Sequence, residues 1–230
     1  MTTENQTTMP ACCICGNTTY VPGPLGRMAA KKSLPPRGGS CGSLERHRIV
    51  RQVYDAIPVG ILENARALQF ANDPGAPRER FQSFELSNYG HDNSLDMASI
   101  DRPTGSYDWV IANHVLEHVQ DDSAAIFELR RIISSDGVIQ LTVPSPSSAL
   151  DTWDIPNSDP AAFEHWHGYG SDLPLHFSAE LNGIFGLQVV GRDAPTNRWD
   201  VVYLFMNSRD TMLSIGDALL NSDLPTLRCV

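Results

Sequence analysis

The chain has 230 residues, 41% of them hydrophobic, and a formal net charge of −10. That length allows one substantial core plus a small appendage, and the acidic balance argues against a nonspecific nucleic-acid binder, whose phosphate contacts need clustered Lys and Arg. No apolar run approaches the roughly 18 residues of a spanning helix, and Met1 to Met9 has no signal-peptide core, so a cytoplasmic protein acting on a small molecule is expected, with no membrane or nucleic-acid partner and with self-association open.

Four of the five cysteines lie in the first 41 residues, too unevenly placed for a disulfide framework. Cys12-Cys13-Ile14-Cys15-Gly16 holds a C-x-x-C pair, and Cys41 follows 26 residues after Cys15. A structural zinc ion takes four ligands, so Cys12, Cys15 and Cys41 need a fourth from Cys13, His47, elsewhere in the chain or a partner. His47 is the choice made here. A complete second pair would place a cysteine at position 38, where Gly38 stands. Residues 1–42 read as a cysteine-rich knuckle and linker, 43–208 as the main domain, and 209–230 as a C-terminal helix and tail.

Ser43 is placed to cap a helix on which Leu44, His47, Val50, Tyr54 and Ile57 recur at helical spacing until Pro58. Glu45, Arg46, His47 and Arg48 at its start either pair locally or position a substrate carboxylate or phosphate. Strands are expected in Arg66 to Phe70 and in Phe81 to Leu86. Trp109 to Ala112 is an apolar run suited to a core strand, and Asn113, His114, Glu117 and His118 follow where an open parallel sheet presents its ligand crevice. Asp121-Asp122-Ser123 can cap a helix through Ala125, Ile126, Leu129, Ile132 and Ile133, stopped by Ser134 to Gly137. Val138 to Val143 is the next strand, which completes a right-handed crossover unit. Pro144 to Ala162 reads as a lid or substrate loop. A helix is expected after Ser178, ending at Gly186, then strands at Leu187 to Val190 and Val201 to Phe205. Met212, Leu213, Ile215, Leu219 and Leu220 mark a last amphipathic helix.

The strand, His114-Val115-Leu116-Glu117-His118-Val119, the two aspartates, the amphipathic helix, Asp136-Gly137 and the second strand together resemble class I S-adenosylmethionine-dependent methyltransferases. The resemblance covers residues 107–145 best. Ser40 to Arg48 is similar to the segment that precedes the methyltransferase domain in a bacterial subgroup with an N-terminal zinc-binding region, which usually carries two C-x-x-C pairs. The resemblance implies a Rossmann-like doubly wound α/β fold, mostly parallel with a reversed last strand, and S-adenosylmethionine as cofactor.

Phe70, Ala71 and Asp73 then occupy the turn that approaches the cofactor, with Ala71 as the small residue where glycines are common. Glu85 is expected to accept from the ribose hydroxyls, Asp96 and Met97 to meet the adenine, and Asn113 and His114 to close the site. His114 is the candidate base, with Glu117 and His118 one turn on; Glu117 either fixes a histidine tautomer or binds the cofactor. In Glu164-His165-Trp166-His167-Gly168-Tyr169, the matching family turn implies that His165 or His167, together with Tyr169, reaches the acceptor. Trp153, Phe163, Trp166 and Tyr169 suggest an aromatic lining. Two other readings stand beside this one: a catalytically silent methyltransferase-like ligand or partner binder, and a metal-dependent enzyme built on His165, His167, Asp172 and His176.

Overall fold

The computed structural model describes residues 9–29, 34–144, 146–159, 164–224 and 226–229. A two-stranded ribbon of β1 (Tyr20–Val21) and β2 (Arg37–Gly38) precedes α1 (Glu45–Ala56) and α2 (Val59–Glu63). β3 (Arg66–Phe70), β4 (Ser83–Ser87), β5 (Tyr107–Asn113), α3 (Asp122–Ile132) and β6 (Ile133–Thr142) follow. A second ribbon of β7 (Trp153–Asp159) and β8 (His165–Gly168) leads through α4 (Leu173–His176) to β9 (Phe185–Arg192), β10 (Trp199–Met206), α5 (Arg209–Leu220) and β11 (Thr226–Cys229).

The central sheet has seven strands in the order β11-β9-β10-β6-β5-β3-β4. β4, β3, β5 and β6 are parallel, and β10 enters antiparallel between β6 and β9. This is the Rossmann-like doubly wound sheet with a reversed last strand. Alternation along the strands divides the core into two layers. Leu68, Val110, Ile139 and Tyr203 pack on the face covered by Ile126 and Leu129 of α3. Ala67, Trp109, Val138 and Leu204 pack on the face covered by Val50 and Tyr54 of α1 and by Ile215 of α5.

Three expectations change. Residues 178–184 form turns rather than a helix, and β9 starts at Phe185, inside the span expected to be helical. Gly183, at a φ of 78°, breaks the helical pattern there. Ser134 to Gly137 stays within β6 instead of ending α3 as a loop, with the register against β5 shifting between Tyr107 and Trp109. The C-terminal tail becomes an edge strand, as β11 pairs antiparallel with β9.

A buried arginine ties the cysteine-rich segment to the sheet. Arg48, 1% exposed, donates through Nε and Nη2 to the two carboxylate oxygens of Asp193 at 2.7 and 3.0 Å. Its remaining N–H groups reach the carbonyls of Ser43 and Pro36 at 2.8 and 2.9 Å and Ser43 Oγ at 3.2 Å. Breaking one partner of such a buried pair strands the other, whereas replacing both with apolar groups is often tolerated. Asp193→Ala is therefore expected to cost about 3–5 kcal/mol in urea unfolding. The double variant Arg48→Met/Asp193→Leu should lose clearly less.

Candidate active site

Between the carboxyl ends of β3, β4 and β5 lies a cavity of about 740 Å³. Phe70 and Ala71 line it from β3, Ser87 and Tyr89 from β4, and His114 and His118 from β5 and the 3₁₀ turn Leu116–His118. Leu95, Asp96, Met97 and Ala98 form one wall, while Val119 and Trp166 face it from elsewhere. A smaller cavity of about 420 Å³ around Trp109 and Val138 sits at the amino ends of the strands, away from the polar clusters. Parallel sheets bind ligands at the carboxyl end, where strand order diverges.

Backbone conformation marks the same place. Five described non-glycine residues have positive φ, and three of them, Ala71 at 61°, His114 at 52° and Glu164 at 60°, line this cavity. Left-handed backbone costs an L-residue about 1–2 kcal/mol, and such strain gathers at functional sites. At Ala71 and His114 it turns the chain sharply off the strand end.

Asp96 and Met97 lie in the cavity wall; an isolated bridge from Asp96 to Ser99 closes a turn there, and Asp96 Oδ1 accepts from Ala98 N at 2.9 Å. Glu85 does not face the cavity. It is two residues short of the end of β4 and is taken by Arg102, the Tyr107 hydroxyl and Asn93 Nδ2, an arrangement that, despite partial burial, keeps its carboxyl below the usual range. Asn113 is also turned away, because alternation puts it with Trp109 and Ile111 on the α1 face, where Oδ1 accepts from Gln140 Nε2 at 3.0 Å. Asp73 is buried behind the turn, with Oδ1 accepting from Gly75 N at 2.6 Å and Oδ2 3.5 Å from His47 Nε2.

His114 projects from the strand end with Nδ1 3.5 Å from Glu117 Oε1, and its Nε2 is buried with no hydrogen-bond partner among the described residues. Of the β8 residues, Trp166 faces the cavity and His167 the opposite way, since neighbours on a strand alternate. His167 meets Asp154 Oδ1 at 3.0 Å and the Gln120 carbonyl at 3.2 Å. Tyr169 is buried and donates to Asp122 Oδ2 at 2.9 Å, and burial together with Asp122 pushes its hydroxyl pKa well up. His176 comes within 3.8 Å of the same oxygen. Asp122 thus gathers the pair expected at the acceptor into a structural cluster behind the turn. The grouping of His165, His167, Asp172 and His176 for a metal is not found, because Asp172 accepts from Thr152 and His165 packs on His118. Phe163 lies outside the described residues; Trp153 is half-exposed on β7.

Sequence reasoning missed a polar layer beneath α1. Gln69, Asn113 and Gln140 are 0–3% exposed, and Gln69 Oε1, Asn113 Nδ2 and Gln140 Oε1 have no partner among the described residues. Arg46 Nε above them is likewise unpaired, and Asp200, whose carboxyl is raised by burial, faces His114 and Arg46. The signal was present: glutamine interrupts the apolar runs of two central strands at Leu68-Gln69-Phe70 and Ile139-Gln140-Leu141.

A family model described as a methyltransferase domain matches residues 39–180. The chain belongs to this methyltransferase-domain family. No curated protein matches it significantly. Among solved structures it is similar to a putative methyltransferase of Haloferax volcanii in complex with a methyltransferase activator, at 11% identity over 72% of this chain and 90% of that one, with a TM-score of 0.49. A possible histamine N-methyltransferase of Thermotoga maritima is 12% identical over 70% of this chain and 91% of that one, at a TM-score of 0.46.

In this methyltransferase-family chain the cysteines do meet. Sγ atoms of Cys12, Cys15 and Cys41 lie within 4.8 Å of one another, and Ser43 Oγ is 3.1 Å from Cys41 and 3.5 Å from Cys12. His47 is not among them: its Nδ1 accepts from Leu44 N at 3.0 Å, and burial drives its pKa down to about 3. Cys13 donates to the Arg48 carbonyl at 3.4 Å, and burial of its sulfur pushes it up to about 12. Burial works against the Cys41 thiolate, but hydrogen bonds from Ser43 and the neighbouring cysteines outweigh it and bring Cys41 to about 7. In chelator-treated protein, alkylation of Cys41 should rise with a midpoint near pH 7, while Cys13, whose thiol is pushed up to about 12, should react only at far higher pH, as mass spectrometry of the labelled peptides would read.

Proposed function

We propose that this protein transfers a methyl group from S-adenosylmethionine to a small polar acceptor, with His114 as the base. The observation that carries this reading is His114 itself, a strained residue at the end of a central parallel strand that lines a cavity of ligand size and whose buried Nε2 has no partner among the described residues. When bound, the cofactor supplies an electrophilic methyl group on sulfur. The chain's own part is to hold and align the reactants and to take a proton.

Asp96 and Met97 would hold the adenine, and the turn at Phe70 and Ala71 would admit the methionine end, where a small side chain lets backbone come close. Glu117 Oε1 beside Nδ1 favours the tautomer with its proton on Nδ1, leaving Nε2 to accept a proton from the acceptor. Such contacts are often long before substrate binds. Gln69 Oε1, Gln140 Oε1 and Arg46 Nε, unpaired among the described residues, would offer acceptors and a donor to a hydrogen-bonding acceptor molecule, since buried polar groups left unpaired favour a ligand that pairs them.

A second reading has its own observation. The end of β4 is Ser87-Asn88-Tyr89, with no carboxylate for the ribose hydroxyls, which suits a methyltransferase-like protein that binds a ligand or partner without turnover. Calorimetric titration with S-adenosylmethionine separates the two. Measurable binding, weakened roughly tenfold by Asp96→Ala, is expected for the enzyme. Replacing His114 with Ala should then lower transfer of labelled methyl to a panel of small amines, phenols and carboxylates by about 10²-fold or more while leaving cofactor affinity near wild type. No heat on titration sinks methyl transfer.

The same reading gives Cys12, Cys15 and Cys41 a structural zinc ion, with the protein in the subgroup that carries an N-terminal zinc region. A Cβ placed on Gly38 would stand 3.0 Å from Cys41 Sγ and 3.1 Å from Ser43 Oγ, so a cysteine at position 38 would bring a fourth thiolate beside this cluster. The residues fit three thiolates with Ser43 or water as the fourth ligand. Gly38→Cys should therefore tighten zinc binding at least roughly tenfold in a competition assay with a chromophoric chelator, and an unchanged affinity would remove zinc from this cluster.

A further inference from the structure

Beside the cavity, the turn Leu116–His118 and the start of β8 bring together three side chains that methyl transfer leaves partly unused. A carboxylate oxygen of Glu117 and ring nitrogens of His118 and His165 lie within 4.8 Å of one another. The two imidazoles meet edge to face, with centroids 4.7 Å apart and planes at 82°. Glu117 is only 1% exposed; Oε1 faces His114, while Oε2 is buried with no hydrogen-bond partner among the described residues. A buried carboxylate oxygen without a donor is costly, so native structures normally give it an N–H, a water or a cation.

We infer that Glu117, His118 and His165 bind a divalent transition-metal ion at the rim of the crevice. Two imidazoles and one carboxylate form a nitrogen and oxygen set suited to Zn²⁺, Co²⁺, Ni²⁺, Fe²⁺ or Mn²⁺, whereas Ca²⁺ and Mg²⁺ prefer oxygen throughout. Donors about 2.1 Å from a common ion stand roughly 3–3.5 Å apart, so the widest separation in the cluster needs to contract by up to about 1.3–1.8 Å. Rotation of the exposed His118 ring and the half-buried His165 ring supplies that without moving the strand. The ion would satisfy Glu117 Oε2 while Oε1 keeps its place beside His114.

Three protein ligands leave coordination positions for water or substrate, the arrangement of a working rather than a structural site. His118 lines the cavity, so these positions open toward the volume next to His114. There the metal would bind an oxygen or nitrogen of the acceptor, lower the pKa of its proton and hold it in line, which favours chelating acceptors such as catechols or hydroxy acids. The metal site itself does not depend on methyl transfer and is tested without it.

The experiment is titration of the full-length, chelator-dialysed protein with Co²⁺ alone, followed by calorimetry and absorption together. Binding at the cysteines gives sulfur-to-cobalt charge-transfer absorption, and binding at the proposed site gives none. The expected result is a binding event without the sulfur band that is weakened at least roughly tenfold in His118→Ala and in Glu117→Gln. His118 is exposed, so its variant should fold as the parent does, and unchanged circular dichroism checks this. Absence of any event without the sulfur band overturns the proposal. So does an event that persists at wild-type affinity in His118→Ala, Glu117→Gln and His165→Ala alike.

Discussion

The buried pairing of Arg48 with Asp193 joins three parts of the chain that local structure alone would leave separate. All five guanidinium N–H groups are used: two on Asp193 at the end of the β9 region, the others on Ser43 and on the Pro36 carbonyl ahead of α1. Tyr20 of the first ribbon lies under the same guanidinium, with Arg48 Cζ 5.2 Å from its ring centroid. A charge this deep is tolerated only when every donor is paired, so the contact fixes geometry as well as contributing energy. Once α1 is held, its first turn places Arg46 and His47 over the carboxyl ends of the strands.

That placement makes the end of the sheet chemically two-sided. On the α3 face, β3, β5 and β6 stay apolar through Phe70, Ala112 and Leu141, and the cavity wall is completed by Ser87 and by the turns that follow the strands. On the α1 face, Gln69, Asn113 and Gln140 replace apolar side chains near the carboxyl ends of their strands, and Asp200 stands at the start of the antiparallel β10. The alternation that builds the core therefore also sorts the site. Trp166 and His167, adjacent in sequence, face a ligand cavity and a structural carboxylate respectively.

Much of the fold was legible because its elements are strongly periodic. The β5–α3–β6 unit, with its Asp121 cap, α1 and the reversed β10 follow from apolar spacing and a family resemblance concentrated in residues 107–145, although α1 begins after Leu44 without the side-chain cap expected from Ser43. The failures were local signals overruled by distant partners. The tail after Leu220 pairs with β9, and its strand character depends on an edge that the sequence does not display. Glu85 read as a ribose ligand by its place in a strand, but Arg102, 17 residues away, claims it. His47 sat at a plausible interval from the cysteines, yet helical geometry turns it to the backbone N–H of Leu44 and toward Asp73.

By itself the sequence determined the alternating strands, the amphipathic helices and the concentration of histidines at one strand end, since each depends on residues a few positions apart. Tertiary structure alone decided which of those residues meet. Cys41 joins Cys12 and Cys15, His165 joins Glu117 and His118, and His167 goes instead to Asp122 and Asp154. The physical reason is that side-chain direction is set locally, whereas proximity is set by strand order and by contacts such as Arg48 to Asp193, 145 residues apart.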